Sequence, residues 1–206
     1  MWRTTPMHRR ETEGSLDRDG PPPFPPELDP SDVQQPDSGV GRLFHRRYRA
    51  MIRDADLTPE ALHALVTGEL DRVVPTELAT FHKLEGEDGV MRAGDEYVVR
   101  MPGPWDGPVR VIDVTSTSFR LATLEGHLEA GQIEFRFSRD GHLLFEIESW
   151  ARSGDRLSDL LYQHLRMAKE VQLHLWTSVL EQVAERSGGR LTGGVDIDTR
   201  SVAGDR

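Results

Sequence analysis

The chain has 206 residues, with 35 acidic against 25 basic side chains, a net charge of −10 and no cysteine. Nonspecific nucleic-acid binding and docking on anionic membranes both need a basic surface, so this balance argues against each. The absence of cysteine excludes disulfides, thiol catalysis and cysteine-ligated metal.

No run approaches the roughly 18 apolar residues of a membrane span. The first residues are basic but are followed by no apolar segment of the secretory kind. The expectation is a cytoplasmic protein with one domain over residues 43–190 and a tail at each end.

Residues 1–42 are the first tail. Eight of the 13 prolines fall by Pro36, and the run Pro21-Pro22-Pro23-Phe24-Pro25-Pro26 favours polyproline II. Disorder or an extended strap is expected. The alternatives are a proline-motif ligand for a partner, or a segment packed on the domain through Trp2, Phe24 or Leu28.

The domain opens with a strand over 44–53, anchored by Phe44, Tyr48 and Ile52. A helix follows, with Thr58 as N-cap, Pro59 at N1 and Glu60 near the positive end of the dipole. It ends at Gly68, and a short second helix runs over 69–73, before Pro75. Strands are then expected over 80–85, 95–101, 109–114 and 118–124, with a rigid Pro/Gly loop around Trp105 after the second. A last hairpin joins 131–138 to 142–151 around Asp140-Gly141. A three-residue loop there would set Phe137 against Leu143, Phe135 against Phe145 and Ile133 against Ile147, with Gly141 left-handed. That register gathers one apolar face and leaves Gln132, Glu134, Arg136, Glu146 and Glu148 on the other.

From Leu157 to Arg186 the pattern is one amphipathic helix, about 45 Å long. Ser153-Gly154-Asp155 opens it and Ser187-Gly188-Gly189 closes it. Leu160, Leu161, His164, Ala168, Val171 and Leu175 share its broad apolar face, which needs the sheet as partner. Tyr162, Leu173, Trp176 and Leu180 form a lateral stripe that packs on the first helices or on a second copy. Residues 191–206, with Gly193-Gly194, read as a flexible exit.

This order of elements resembles the helix-grip fold of the START and Bet v 1-like superfamily, which includes polyketide cyclases. The resemblance covers about residues 44–187 and implies an α+β fold, a curved antiparallel sheet of about seven strands wrapped on the last helix around a cavity. Gly126-His127-Leu128-Glu129-Ala130-Gly131-Gln132-Ile133-Glu134-Phe135 is similar to the Gly-His…Gly…Glu-x-x-Phe strand entry of the family called domain of unknown function 1990. Phe145 to Arg152, with Asp155-Arg156-Leu157, fits the same family's last strand and helix entry. Gln132 stands where glutamate is more usual, and the proline-rich tail is extra. The resemblance implies a fold and no reaction.

Candidate residues follow from this frame. His164, centred on the apolar helix face, is either a ligand anchor or acid/base in a cavity, or a core histidine bonded to backbone. Gln172 sits at the edge of that face. His127 and Glu129 share one side of a strand edge and would supply two metal ligands or a hydrogen-bonded turn; no third ligand stands at a recognisable spacing, so no metal and no cofactor are expected. Glu134, Glu146 and Glu148 are expected in a solvated cross-strand network with Arg136 and Arg152. Trp105 is either a lid at a cavity mouth or a plug on the domain's own core. No catalytic motif is present.

The expected function is a binding module for a small apolar ligand, with a cavity lined by Phe135, Phe145, Ile147, His164, Ala168 and Val171, Trp105 near the mouth and His127 beside it. Its rivals are a cyclase- or hydratase-like enzyme using His164, and an interaction protein with a filled core. Neither nucleic acid nor a membrane is an expected partner, and the chain is a monomer or homodimer.

Overall fold

A computed structural model describes residues 5–101, 106–154 and 166–203, and the side chains of all of these except 166–171. Nine strands are described: β1 (Met7–Glu13), β2 (Val40–Arg53), β3 (Thr80–Glu85), β4 (Glu96–Arg100), β5 (Asp106–Val114), β6 (Ser118–Thr123), β7 (Glu129–Asp140), β8 (His142–Ser153) and β9 (Arg190–Val202). They form one sheet in the order β1-β9-β2-β8-β7-β6-β5-β4-β3. The β1–β9 pair is parallel and the others are antiparallel. Among the described residues four α-helices accompany it, α1 (Leu16–Asp19), α2 (Pro59–Gly68), α3 (Leu70–Val73) and α4 (Arg166–Arg186), with a 3-10 turn at Pro36–Ser38. Helix α4 packs across one face of the sheet, in the helix-grip arrangement.

Local chemistry accounts for the elements around α2. Thr58 accepts a hydrogen bond from the Ala61 N–H at 3.2 Å, and Pro59 occupies N1, where no backbone donor is needed. Leu62, His63 and Val66 turn inward. At the other end of the chain Gly188 takes φ 78°, and the Gly189 N–H reaches back to the Ala184 carbonyl at 3.2 Å, closing α4. The expected helix start over 155–165 lies outside the described residues.

The inner face of the sheet is built by the alternation of its strands. Tyr48, Ala50 and Ile52 of β2, Leu143, Phe145 and Ile147 of β8, and Phe135 and Phe137 of β7 share one core with Leu173, Trp176, Leu180 and Val183 of α4. Phe119 stacks on Phe135 at 4.5 Å, Phe137 on Phe145 at 4.6 Å, and Trp176 meets Phe135 edge-on at 5.6 Å. Leu173, Trp176 and Leu180 of the lateral stripe therefore share one core with Leu175, Val179 and Val183 of the broad face, while Tyr162 lies outside the described residues.

Three expectations are corrected. The last hairpin pairs Phe137 with Phe145, Phe135 with Ile147 and Ile133 with Ser149. That is two residues from the expected register. A two-residue slide keeps every side chain on its own face, so the inward set is unchanged, and it brings the Phe137 and Phe145 rings parallel. Gly141 does take φ 71°.

Residues 191–206 were expected as a flexible tail, yet β9 lies inside the sheet between β1 and β2. Gly193 and Gly194, at φ 75° and 90°, form a bulge opposite the Ala50–Met51 step. Beyond it Val195, Ile197, Thr199 and Ser201 alternate inward.

The proline-rich segment is likewise built into the molecule. β1 adds to the edge of β9, and residues after it cross the outer face of the sheet. Phe24 and Leu28 pack beside Val33, Ile112, Ala122 and Leu124. Arg120 and Gln132 donate to the Pro23 and Pro22 carbonyls at 3.1 and 2.8 Å.

Candidate functional site

The inner face changes character along its strands. Cross-strand neighbours on one face form rows, about 7 Å apart along the strand direction. One row runs Val195–Ala50–Phe145–Phe137 and the next Ile197–Tyr48–Ile147–Phe135–Phe119. These rows hold the stacked rings, and Trp176 of α4 lies on them. The third row runs Thr199–Arg46–Ser149–Ile133–Leu121, and the fourth Ser201–Phe44–Ala151–Gly131. Apart from Leu121, Ile133 and Phe44, these two rows carry serine, threonine, alanine and glycine, and the first of them carries an arginine.

Arg46 is 3% exposed. Its Nη1 donates to Oε1 of Gln172 at 3.2 Å and lies 3.9 Å from Oε1 of Glu129. Gln172 in turn donates from Nε2 to Oε2 of Glu129 at 2.8 Å. The guanidinium rests over the Phe44 ring, 4.6 Å from its centroid. Its Nε is buried and has no hydrogen-bond partner among the described residues. An unpaired buried donor costs about 1–3 kcal/mol, so this atom marks a place where an acceptor belongs. Beside it, burial pushes the Tyr48 hydroxyl up to about 12, with Arg46 opposing and Glu129 adding to the shift.

Glu129 is set in place from behind. The Glu129 N–H donates to Nδ1 of His127 at 2.9 Å, and Gln34 Nε2 donates to the His127 and Glu129 carbonyls at 3.0 and 3.2 Å. The His127 ring faces Gly107, where a Cβ would stand 2.8 Å from it. Burial holds the His127 pKa below the ordinary imidazole value, opposed by Glu129. His127 thus acts as a turn buttress. Among the described residues no group of three or more His, Asp and Glu side chains is placed to hold a metal ion.

The other expected site residues divide. Phe135, Phe145 and Ile147 are buried in the filled half of the inner face. Trp105 and His164 lie outside the described residues. Ala168 and Val171 lie on α4 where only the backbone is described. His63, which the sequence reading passed over, is buried at the far end of the inner face, 6.0 Å from Phe119 and 5.9 Å from Phe137. Burial lowers its pKa, the Ser118 backbone opposes that shift, and its Nε2 has no hydrogen-bond partner among the described residues. Arg46 was also missed. Its signal was a cation in phase with Phe44, Tyr48 and Ile52 on an inward-facing strand.

A second polar cluster occupies the outer face. Glu134, Arg136, Glu146 and Glu148 form the expected cross-strand network, while Arg152 donates to the Gly41 carbonyl at 3.3 Å; the face is only partly wet, with Glu148 4% exposed and the Arg136 side chain 40%. The segment before β2 covers it. His45 stacks on Trp150 at 5.2 Å. Its Nε2 lies 2.6 Å from Oε1 of Glu148 and its Nδ1 3.3 Å from Oδ1 of Asp19. Arg47 donates to Glu148 at 2.7 Å, and Arg136 also pairs with it. Burial pushes the Glu148 carboxyl up, and His45, Arg47 and Arg136 outweigh it, leaving the group at about 2. Asp19 follows the same pattern: burial raises it, while Ser15, His45 and Arg200 bring it below the usual carboxylate range. A cleft of about 160 Å³ opens here between Arg18, Asp19, His45, Arg47, Asp198 and Arg200. A further cleft of about 400 Å³ lies by Leu28, Asp32 and Arg110, where Arg110 grips Asp32 at 2.7 Å.

Among the described residues no helix is long and apolar enough to cross a membrane. A family model described as "Domain of unknown function (DUF1990)" matches residues 63–182. No curated protein sequence matches. Among solved structures, the ginseng major latex-like protein 151 from Panax ginseng is similar at TM-score 0.52 and 14% identity, over 70% of this chain and 98% of that one. The hypothetical protein jhp0584 from Helicobacter pylori is similar at TM-score 0.52 and 8% identity, over 80% of this chain and 95% of that one. The KanY protein (ms6282) gives TM-score 0.51 and 12% identity, over 73% of this chain and 99% of that one. At these identities the likeness concerns the fold alone.

Proposed function

The chain belongs to the DUF1990 family, and from that premise we propose that it is a binding module which holds a small, mainly apolar ligand between the sheet and the first half of α4. The observation that carries this reading is the change of side-chain size on the inner face. The rows through Tyr48 and Ala50 are filled by stacked rings. The rows through Arg46 and Phe44 carry Ser149, Ala151, Gly131, Thr199 and Ser201. A face built only to hold a helix would continue its large residues to the end. Small residues around one buried polar anchor are what a ligand pocket uses. In this reading Phe135 and Ile147 close the pocket floor and Phe145 supports them, with His164, Ala168 and Val171 as further proposed ligand contacts. Trp105 is a further proposed contact, and His127 steadies the wall that carries Glu129.

The test is a titration with the neutral apolar fluorophore N-phenyl-1-naphthylamine, in the native chain and in Ser149→Leu. Saturable uptake by the native chain is expected, lost in Ser149→Leu with the melting temperature unchanged, because the leucine fills the ligand's space. Overpacking a site already filled would instead cost about 1–3 kcal/mol. No saturable uptake, together with a lowered melting temperature for Ser149→Leu, contradicts the proposal.

A further inference from the structure

The buried guanidinium says more about what enters than the apolar walls do. A charge taken out of water needs compensation by partners with good geometry, or it destabilises the fold. Within the described residues Arg46 has one carboxylate neighbour, Glu129, at 3.9 Å, longer than a direct hydrogen bond. Its other partner, Gln172, is neutral. Glu129 is itself engaged by Gln172 at 2.8 Å. The Nε–H is buried without an acceptor among the described residues, on an inner face where Ser149 and Thr199 are its row neighbours and Phe44 lies two residues before it on β2.

We infer that the ligand is an amphiphile carrying a carboxylate, and that this carboxylate takes the Nε edge of Arg46. The inference rests on the proposed ligand-binding reading and deepens it. Nε–H points along the side of the guanidinium, the edge that pairs with a planar carboxylate through two parallel hydrogen bonds. A carboxylate there gives the guanidinium its second counter-charge and gives the orphaned donor its acceptor. Its tail then runs from the row of Arg46 across to the row of Ile147 and Phe135, where the face becomes apolar. Ser149 and Thr199 flank the arginine in its own row, and their hydroxyls suit the wet rim of a carboxylate better than a hydrocarbon.

The test compares two probes of one tail length, decanoate and 1-decanol, by calorimetric titration below their aggregation limits. Decanoate is expected to bind the native chain about tenfold or more tighter than 1-decanol, the discrimination one charged hydrogen bond provides. In Arg46→Gln the two probes should bind equally. If that variant fails to fold, the double variant Arg46→Gln with Glu129→Gln removes both charges of the pair and should show the same loss of preference. Equal binding of both probes to the native chain overturns the carboxylate inference and leaves the binding module standing. Preference retained in either folded variant also overturns it. No binding of either probe, with no uptake of the neutral fluorophore, overturns both.

Discussion

Nε2 of His45 lies 2.6 Å from Oε1 of Glu148, on the face of the sheet away from the long helix. Glu148 is 4% exposed, and it is held ionised by His45 and by Arg47 and Arg136 against the pull of burial. Its folded pKa of about 2 is below the ordinary 4.5. A depressed carboxylate contributes stability that is fully present above the unfolded value and is lost as pH falls through the folded one. Between pH 4.5 and about 2 the native chain should therefore lose about 3 kcal/mol from this group. Glu148→Gln should be less stable than the native chain at pH 7 and should show a flatter stability curve across that window. Denaturant titrations at stepped pH check this; parallel curves for the two proteins would contradict it.

The proline-rich segment is a structural layer in this account. The Gln34 N–H donates to the Thr123 carbonyl at 2.8 Å, and Phe24 and Leu28 pack on the outer face. Replacing both Phe24 and Leu28 by alanine should cost about 2–4 kcal/mol, less than two fully buried side chains would. Amide exchange should quicken in residues 16–39 first, while Leu173 to Ala184 stay protected. Unchanged exchange throughout would show that the segment holds by other contacts.

Gly131 is fixed by close approach. A Cβ built there runs into the Trp150 carbonyl oxygen and lies 2.8 Å from Ala151 Cα, both backbone atoms of β8. Nothing flexible can yield, so Gly131→Ala should lower stability by about 2 kcal/mol or more, the range of severe local strain. Gly89→Ala is a weaker control: it meets no atom within 4 Å but has φ 72°, so it carries only backbone strain. A melting temperature for Gly131→Ala equal to that of the native chain would refute the close approach.

Strand β9 separates β1 from β2. A chain ended before Arg190 loses that strand, exposes the β2 edge and leaves β1 without its partner. Such a truncation should not unfold cooperatively, whereas the full chain should. Circular dichroism melts of the two distinguish an integral strand from an exit tail.

Much of this architecture was legible because strands β2 to β8 and helix α4 bury one face each, and burial writes a period into the sequence. Thr58-Pro59 and Gly188 marked helix ends through backbone chemistry alone. What escaped did so for physical reasons. The residues of β1 are exposed at a sheet edge, so no alternation marks them. The pair Gly193-Gly194 suggested flexibility, and the bulge it forms is the same chemistry used for a different end. The hairpin slide of two residues preserved every face, so the hydrophobic pattern could not register it. Arg46 and His45 sit on adjacent positions of β2 and face opposite sides of the sheet. Which arginine of Arg46, Arg47 and Arg49 is buried depends on what covers each face, and the covering segments come from distant parts of the chain.

The central claim is that the inner face beside Arg46 receives a small molecule. Native mass spectrometry of the full chain purified from its own host, repeated after denaturation, tests it most directly. The account predicts a reproducible small-molecule adduct that is retained under native conditions and lost on unfolding, its mass consistent with a carboxylate-bearing amphiphile. The bare polypeptide mass under both conditions, with no saturable uptake of the neutral fluorophore, would contradict it.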